Sequence, residues 1–421
     1  VHRDHASSGT RRARFAWILL DWAASAFSTV LITLVVAYVE KLVFVGGVAG
    51  IPGGVIWAWT LAAAMLASAV LAPIAAAWAD RRHAHQRAVI AATAVGAGGL
   101  VALAAASPAM QPAVIAAVIV ACVGFDLAQV FTGSLLTRIA GADDADRLSA
   151  WGFAAGYAGG AIALVAGTAL VQGHELLGLS VAGGLRAAFA MIALWWLAFS
   201  LPAAFVRFGD GSGEAHAASS GRELVEFAKS LARPRAADGG VQLGPVLLGA
   251  TLVLGAVQTA IAQFSSLALE RFDLDSTALV RLILLVQFVA LPGALAIGWL
   301  STRIGRRAAA AICLVGWAAV LVLGWFVATP AQLHALAVLL ALVLGGIQSV
   351  VRAAIAALAP AGHAGATFGL MQVGTKLAGF VASVIFGGVQ LLAHDPRAGL
   401  LTLLVQLAAG AWFILGGTKR G

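Results

Sequence analysis

Apolar runs of twenty or more residues recur from one end of this chain to the other, and that recurrence decides what it can fold into. Each run is long enough to cross the hydrocarbon core of a bilayer as a helix. In lipid every backbone N–H and C=O must be paired within the protein, so helices and closed barrels are the only spanning options. The runs are too long and too rich in Ala, Leu and Gly for a barrel, whose strands are short and alternate. Of the 421 residues, 61% are hydrophobic and 10% charged, against about 25% charged in an ordinary soluble domain. The sequence therefore reads as an all-α membrane protein. Twelve spans are expected, at 15–39, 55–79, 87–106, 111–138, 149–172, 184–206, 243–269, 277–300, 308–328, 331–358, 365–392 and 398–416. The basic segment before Phe15 and the long, polar-studded run after it read as a first span, not as a cleavable leader.

The net charge is +8, which invites a nucleic-acid reading. Its distribution argues otherwise. With the N-terminus placed inside, 20 of the 26 Lys and Arg fall in inside segments, and Lys41, Arg186, Arg271, Arg281 and Arg397 fall outside. Lys376 lies within a span. This positive-inside bias predicts both termini in the cytoplasm and leaves no excess to assign to nucleic acid. Three regions follow: an N-terminal six-helix bundle over 1–206, a cytoplasmic linker over 207–242, and a C-terminal six-helix bundle over 243–421. The linker opens with "GDGSGEAHAASSG", a flexible polar stretch. Ser220 and Glu223 then have capping-box spacing, and Leu224, Phe227, Ala228 and Leu231 share a face. A short amphipathic surface helix ending near Pro234 is expected there.

A weak repeat relates the halves. "WADRRHAHQR" after the second run and "LSTRIGRR" after the eighth are offset by 222 residues, about half the chain. Parallel repeats of this kind place a transport site at their interface, near the midplane. "GWLSTRIGRR" (Gly298–Arg307) resembles the loop signature of the major facilitator superfamily, and Trp78-Ala79-Asp80-Arg81 keeps part of it in the first half. "LDWAASAF" (20–27), "RLSAWGFAAGYAGG" (147–160), "LVQFVALPGAL" (285–295), "GGIQSVVRA" (345–353) and "FGLMQVGTKLAG" (368–379) resemble one branch of it. That branch holds the fungal vacuolar amino-acid effluxers of autophagy and their bacterial relatives. The resemblance implies the twelve-helix major facilitator fold, with spans one, four, seven and ten lining a central cavity. The chain departs from it at Ala24, at Gly255-Ala256, and at Thr302, which stands where the second-half loop usually has Asp.

A charge near the bilayer centre is costly and is by default a functional candidate. Asp126 lies about 18 Å from the inner end of its helix, and Lys376 about 17 Å from the inner end of its own. Asp126 is the proton-coupling candidate, its plainer alternative being a packed acid hydrogen-bonded to neighbouring helices. Asp21 is a shallower second, and its depth favours a gate or helix-pairing residue. Lys376 can bind an anionic group or neutralise an acid. Gln129 shares the face of Asp126, and Gln372 that of Lys376. Gln258 with Thr251, Gly255, Ala262 and Ser265, and Gln348 with His334, Gly345 and Arg352, form polar faces on spans seven and ten. These glutamines are substrate-binding candidates, with interhelical hydrogen bonding the plainer alternative. Asp80, Arg81, Arg147, Arg303, Arg306, Arg307 and Arg352 are gating candidates at the inner face. Topology alone also accounts for the arginines.

Other chemistries find no support. Cys122 and Cys313 sit in separate runs, and His83 and His85 have no third ligand at suitable spacing, so neither a metal nor a cofactor is expected. "GLMQVGTK" lies inside a span and has its Thr and Lys in the wrong order for a phosphate loop. No nucleophile–base motif suggests an enzyme. The expected function is secondary active transport of a small polar solute by alternating access in a bacterial cytoplasmic membrane. Coupling to protons or another ion is expected, the resemblance favours export, and a monomer is expected. The competing class is a scaffold or sensor that keeps the fold without turnover.

Overall fold

A computed structural model describes residues 2–82, 84–139, 142–208, 243–272, 274–358, 364–395 and 397–417. Among these are twelve helices long and apolar enough to cross a membrane. They are α1 (His2–Val30, continuing through π-helical turns to Val43), α2 (Gly53–Arg81), α3 (His85–Ala105), α4 (Gln111–Ile139), α5 (Ala142–Gln172) and α6 (Val181–Ser200). The second six are α7 (Leu243–Arg271), α8 (Ser276–Ile304), α9 (Arg306–Phe326), α10 (Pro330–Leu358), α11 (Ala364–Ala393) and α12 (Ala398–Gly417). Their number is even, so the start of α1 and the end of α12 lie at one end of the bundle, here the terminal end; the opposite end is the far end. The expected amphipathic helix of the linker lies outside the described residues.

Several helices run past the expected spans, as helices do when their ends protrude from the hydrocarbon. The sixth span, expected over 184–206, runs from Val181 to Phe205 with a break inside it: the long helix ends at Ser200 and a short helix, Pro202–Phe205, follows. Proline has no N–H to donate to the preceding turn, so the regular ladder stops there.

Both halves close their helix ends with the same device. Arg186, at the start of α6, donates to the carbonyls of Ala104 and Ala105 at the end of α3. Arg397, just before α12, donates to the carbonyl of Trp325 at the end of α9. In each half a cation at or just before the start of the sixth helix meets the exposed carbonyls and negative dipole end of the third. Gln86 does the reverse job at the terminal end, donating to the carbonyls of Ala203, Ala204 and Val206. The interior between helices is filled by fully buried rings, among them Trp57, Trp196 and Trp317. Phe27 stacks on Trp196, with Phe125 against both.

Candidate functional site

Asp126 on α4 and Lys376 on α11 are in contact, with Lys376 Nζ 2.6 Å from Asp126 Oδ1. Their side chains are only 11% and 14% exposed. Lys376 Nζ also donates to Gln258 Oε1 on α7 at 3.2 Å. One acid from the N-terminal six helices thus meets a cation and an amide from the C-terminal six. Cys122 is buried one turn from Asp126 on the same helix. Gln129 and Gln372, both partly buried, stand one turn from the pair towards the terminal end.

Local packing explains why these side chains converge. Gly124 lies so close to α3 that a Cβ would meet the backbone of Gly96 and Ala92. Two residues along a helix turn about 200°, so Asp126 points away from α3 and towards the second half. Gly374 admits Thr251 of α7, and Gly379 admits Met65 of α2. These close approaches lock α11 between α7 and α2, with Lys376 facing α4. Small residues at helix interfaces do this in membranes, where packing and polar contacts replace the hydrophobic drive.

The remaining candidates are not gathered at the pair. Asp21 lies on the packing face of α1 against α5, where its Oδ2 occupies the space a Cβ on Gly152 would need. Ser25 fills the same position over Gly156, and Thr29 over Gly160. The four-residue spacing of Asp21, Ser25 and Thr29 therefore meets the four-residue spacing of Gly152, Gly156 and Gly160. This makes Asp21 a helix-pairing position, removed from Lys376. Gln348 turns back on its own helix and donates to the Leu344 carbonyl at 3.4 Å. His334, expected on a polar face with Gln348, is exposed at the far end and hydrogen-bonded to the Pro330 carbonyl. Arg303, Arg306 and Arg307 are exposed. The side chains of Asp80, Arg81, Arg147 and Arg352 lie outside the described residues.

Sequence reasoning missed several cross-half contacts. Gln287 Nε2 on α8 donates to Thr29 Oγ1 on α1 at 2.7 Å. Trp57 Nε1 on α2 donates to the Ala262 carbonyl of α7 at 3.4 Å, and Lys41 Nζ at the end of α1 to the Leu269 carbonyl of α7 at 3.2 Å. The last two lie in the far half of the bundle and tie the two sets of helices together there. Helix α1 is π-helical at Leu31–Val35 and Val39–Val43, the stretch between Thr29 and the Lys41 contact; such widened turns occur often at functional positions. The Gly152, Gly156, Gly160 spacing was the available signal for the Thr29 contact. Trp57 and Lys41 carried none.

Residues 55–417 match the family model described as "Vacuole effluxer Atg22 like". The chain belongs to this family. The uncharacterized MFS-type transporter YxiO of Bacillus subtilis (strain 168) is 24% identical over 401 residues, covering 94% of this chain and 92% of that protein. The fold is that of the major facilitator superfamily. The xylose transporter XylE of E. coli, in a partially occluded inward-open conformation, superposes with a TM-score of 0.69 at 13% identity over 97% of each chain. The transporter FucP in its outward conformation gives 0.67 at 14% identity, over 97% of this chain and 99% of that one. The protein is accordingly a multi-pass membrane transporter of the MFS type and not an enzyme.

Proposed function

We propose that this protein exports a small polar solute, an amino acid or a related metabolite, by alternating access coupled to protons. The reading places it in a bacterial cytoplasmic membrane with both termini inside. The contact of Asp126 with Lys376 carries it. Two opposite charges at mid-membrane, one from each half, are tolerated because each neutralises the other and Gln258 Oε1 accepts a further hydrogen bond from the ammonium. When the halves rock apart, each charge needs a substitute partner. A proton on Asp126 removes one charge. An anionic group of the solute on Lys376, within reach of Gln258, replaces the other. A zwitterion suits both partners at once. A solute entering the site therefore shifts the balance between states by its different affinity for each. The contacts of Lys41 and Trp57 support a far side held shut while the site faces the terminal end.

The family description supports export, and a related fold occurs in a fucose:proton symporter of E. coli. The lysine and arginine distribution supports the orientation. The deciding measurement is solute flux in proteoliposomes with and without an imposed pH gradient, over a panel of amino acids and related metabolites. Gradient-driven flux of at least one is expected, and Asp126→Asn should abolish the gradient dependence. Absence of flux across the panel, or unchanged pH dependence in the variant, would sink the proposal.

A further inference from the structure

Helix α8 carries an exposed apolar stripe that ends in a cation. Phe288, Leu295 and Trp299 lie at seven- and four-residue steps along one face and are all exposed, Trp299 by 60%. One turn on, the Arg303 guanidinium stacks over the Trp299 ring, 5.3 Å from its centre. The chain then turns sharply at Gly305, whose φ of +85° suits glycine, and presents Arg306 and Arg307, both exposed. No acid occurs between Leu300 and Arg307 to offset three arginines.

The N-terminal half repeats the arrangement. Leu71, Ile74 and Trp78 are exposed along α2, and Arg82 lies over the Trp78 ring at 5.9 Å. This is not simple inheritance of the loop motif. The motif repeats at 222 residues, whereas the tryptophan–arginine pairs are 221 apart, a shift of about 100° around a helix. Each half has its own apolar stripe leading to a stacked cation at the terminal end.

We infer that these are two anionic phospholipid sites, in the leaflet at the terminal end. An acyl chain lies along the stripe, the tryptophan sits at the level of the ester groups, and the arginines take the phosphate. Apolar side chains exposed at this depth call for hydrocarbon, since lining a water-filled passage with them would be unfavourable. A ring at the interface with a cation beyond it matches the layering of a lipid monolayer. Basic clusters at a helix end select anionic headgroups. The α8 site is expected to be the stronger, because the first-half sequence carries an acid, Asp80, beside its arginines and the second half has Thr302 at the matching position.

Fluorescence quenching tests this. The full chain is reconstituted in vesicles of dibrominated phosphatidylglycerol or dibrominated phosphatidylcholine, and the Trp299 signal is obtained by difference from Trp299→Phe. Phosphatidylglycerol should be preferred at Trp299 by about fivefold per engaged arginine. The preference should fall towards one in Arg303→Gln/Arg306→Gln and shrink at high salt. A smaller preference is expected for the Trp78 signal. Equal quenching by the two lipids would overturn the inference. So would displacement by inorganic phosphate alone, which would identify a soluble anion site. Quenching of Trp299 by aqueous acrylamide in place of brominated lipid would mark a water-lined passage and overturn it as well. Retention of phosphatidylglycerol on the detergent-purified parent and its loss from the double arginine variant, read by native mass spectrometry, provide a check that needs no fluorescence.

Discussion

Two acid–base pairs in this molecule differ in nearly every respect. Asp126 and Lys376 are 250 residues apart in sequence, buried, and joined across the two halves. Asp395 and Arg397 are two residues apart in the loop before α12, partly exposed, and joined by several hydrogen bonds. The loop pair is local geometry. Its arginine continues to the Trp325 carbonyl and fastens a helix end. The central pair is held by packing of α4 on α3 and of α11 on α7 and α2, and it has no short-range cause. The teaching is that contact distance alone says little. A pair of similar length in water-screened surroundings contributes a fraction of a kcal/mol to about 1 kcal/mol, whereas a half-broken buried pair leaves a charge in a poor solvent.

The sharpest test of that contrast is to break each pair singly and doubly. Asp126→Asn or Lys376→Met should cost about 3–5 kcal/mol of stability, since each strands a buried charge. The double variant should recover most of this in a thermal melt and still show no gradient-driven flux. Recovery of coupled flux in the double variant would show that the pair is only a packing element.

The next effect concerns Thr29 and Gln287. Gln287→Leu or Thr29→Val should cost about 1 kcal/mol and raise labelling of cysteines introduced at the far end. Thr29→Ser, which keeps the hydroxyl, should behave as the parent. Gly160→Ala should mimic Gln287→Leu, because a Cβ there meets Thr29 Oγ1 and comes within 2.9 Å of Gln287 Nε2. Unchanged labelling in Gln287→Leu, Thr29→Val and Gly160→Ala would remove this contact from the conformational balance.

The smallest effect belongs to the loop pair. Hydrogen bonds from the Arg397 side chain hold the Asp395 carboxyl below the ordinary carboxylate range. A depressed folded-state value means the contribution is full above the ordinary carboxylate range and is lost as pH falls through the lowered value. Asp395→Asn should therefore cost at most about 1 kcal/mol at neutral pH, with the difference from the parent vanishing in strong acid. A difference that persists there would mean Asp395 acts through packing, not charge.

Much of this architecture is legible without coordinates. The twelve runs, their alternating charge and the half-chain repeat lead to the fold. Depth along a helix singles out Asp126 and Lys376, because rise per residue is constant and mid-membrane charge is rare. What helical arithmetic cannot give is azimuth between helices. Asp21 and Asp126 look alike as acids in apolar runs; one faces a glycine ladder on α5 and the other faces Lys376. Gln258 and Gln348 likewise share a description, yet one reaches the pair and the other donates to the Leu344 carbonyl of its own helix. Arg303, grouped with gating residues by its loop motif, lies over an exposed tryptophan, a contact the motif does not announce.

The sequence by itself determined that this chain spans a membrane twelve times as helices, since nothing else satisfies so many apolar backbones in lipid. Charge distribution predicted an orientation, and the loop and span motifs pointed to its family. Only the tertiary structure decided which helix faces meet. Those faces are set by where small residues let backbones approach, and by which polar groups then find one another across the bundle. Both depend on contacts between segments hundreds of residues apart, which no local pattern encodes.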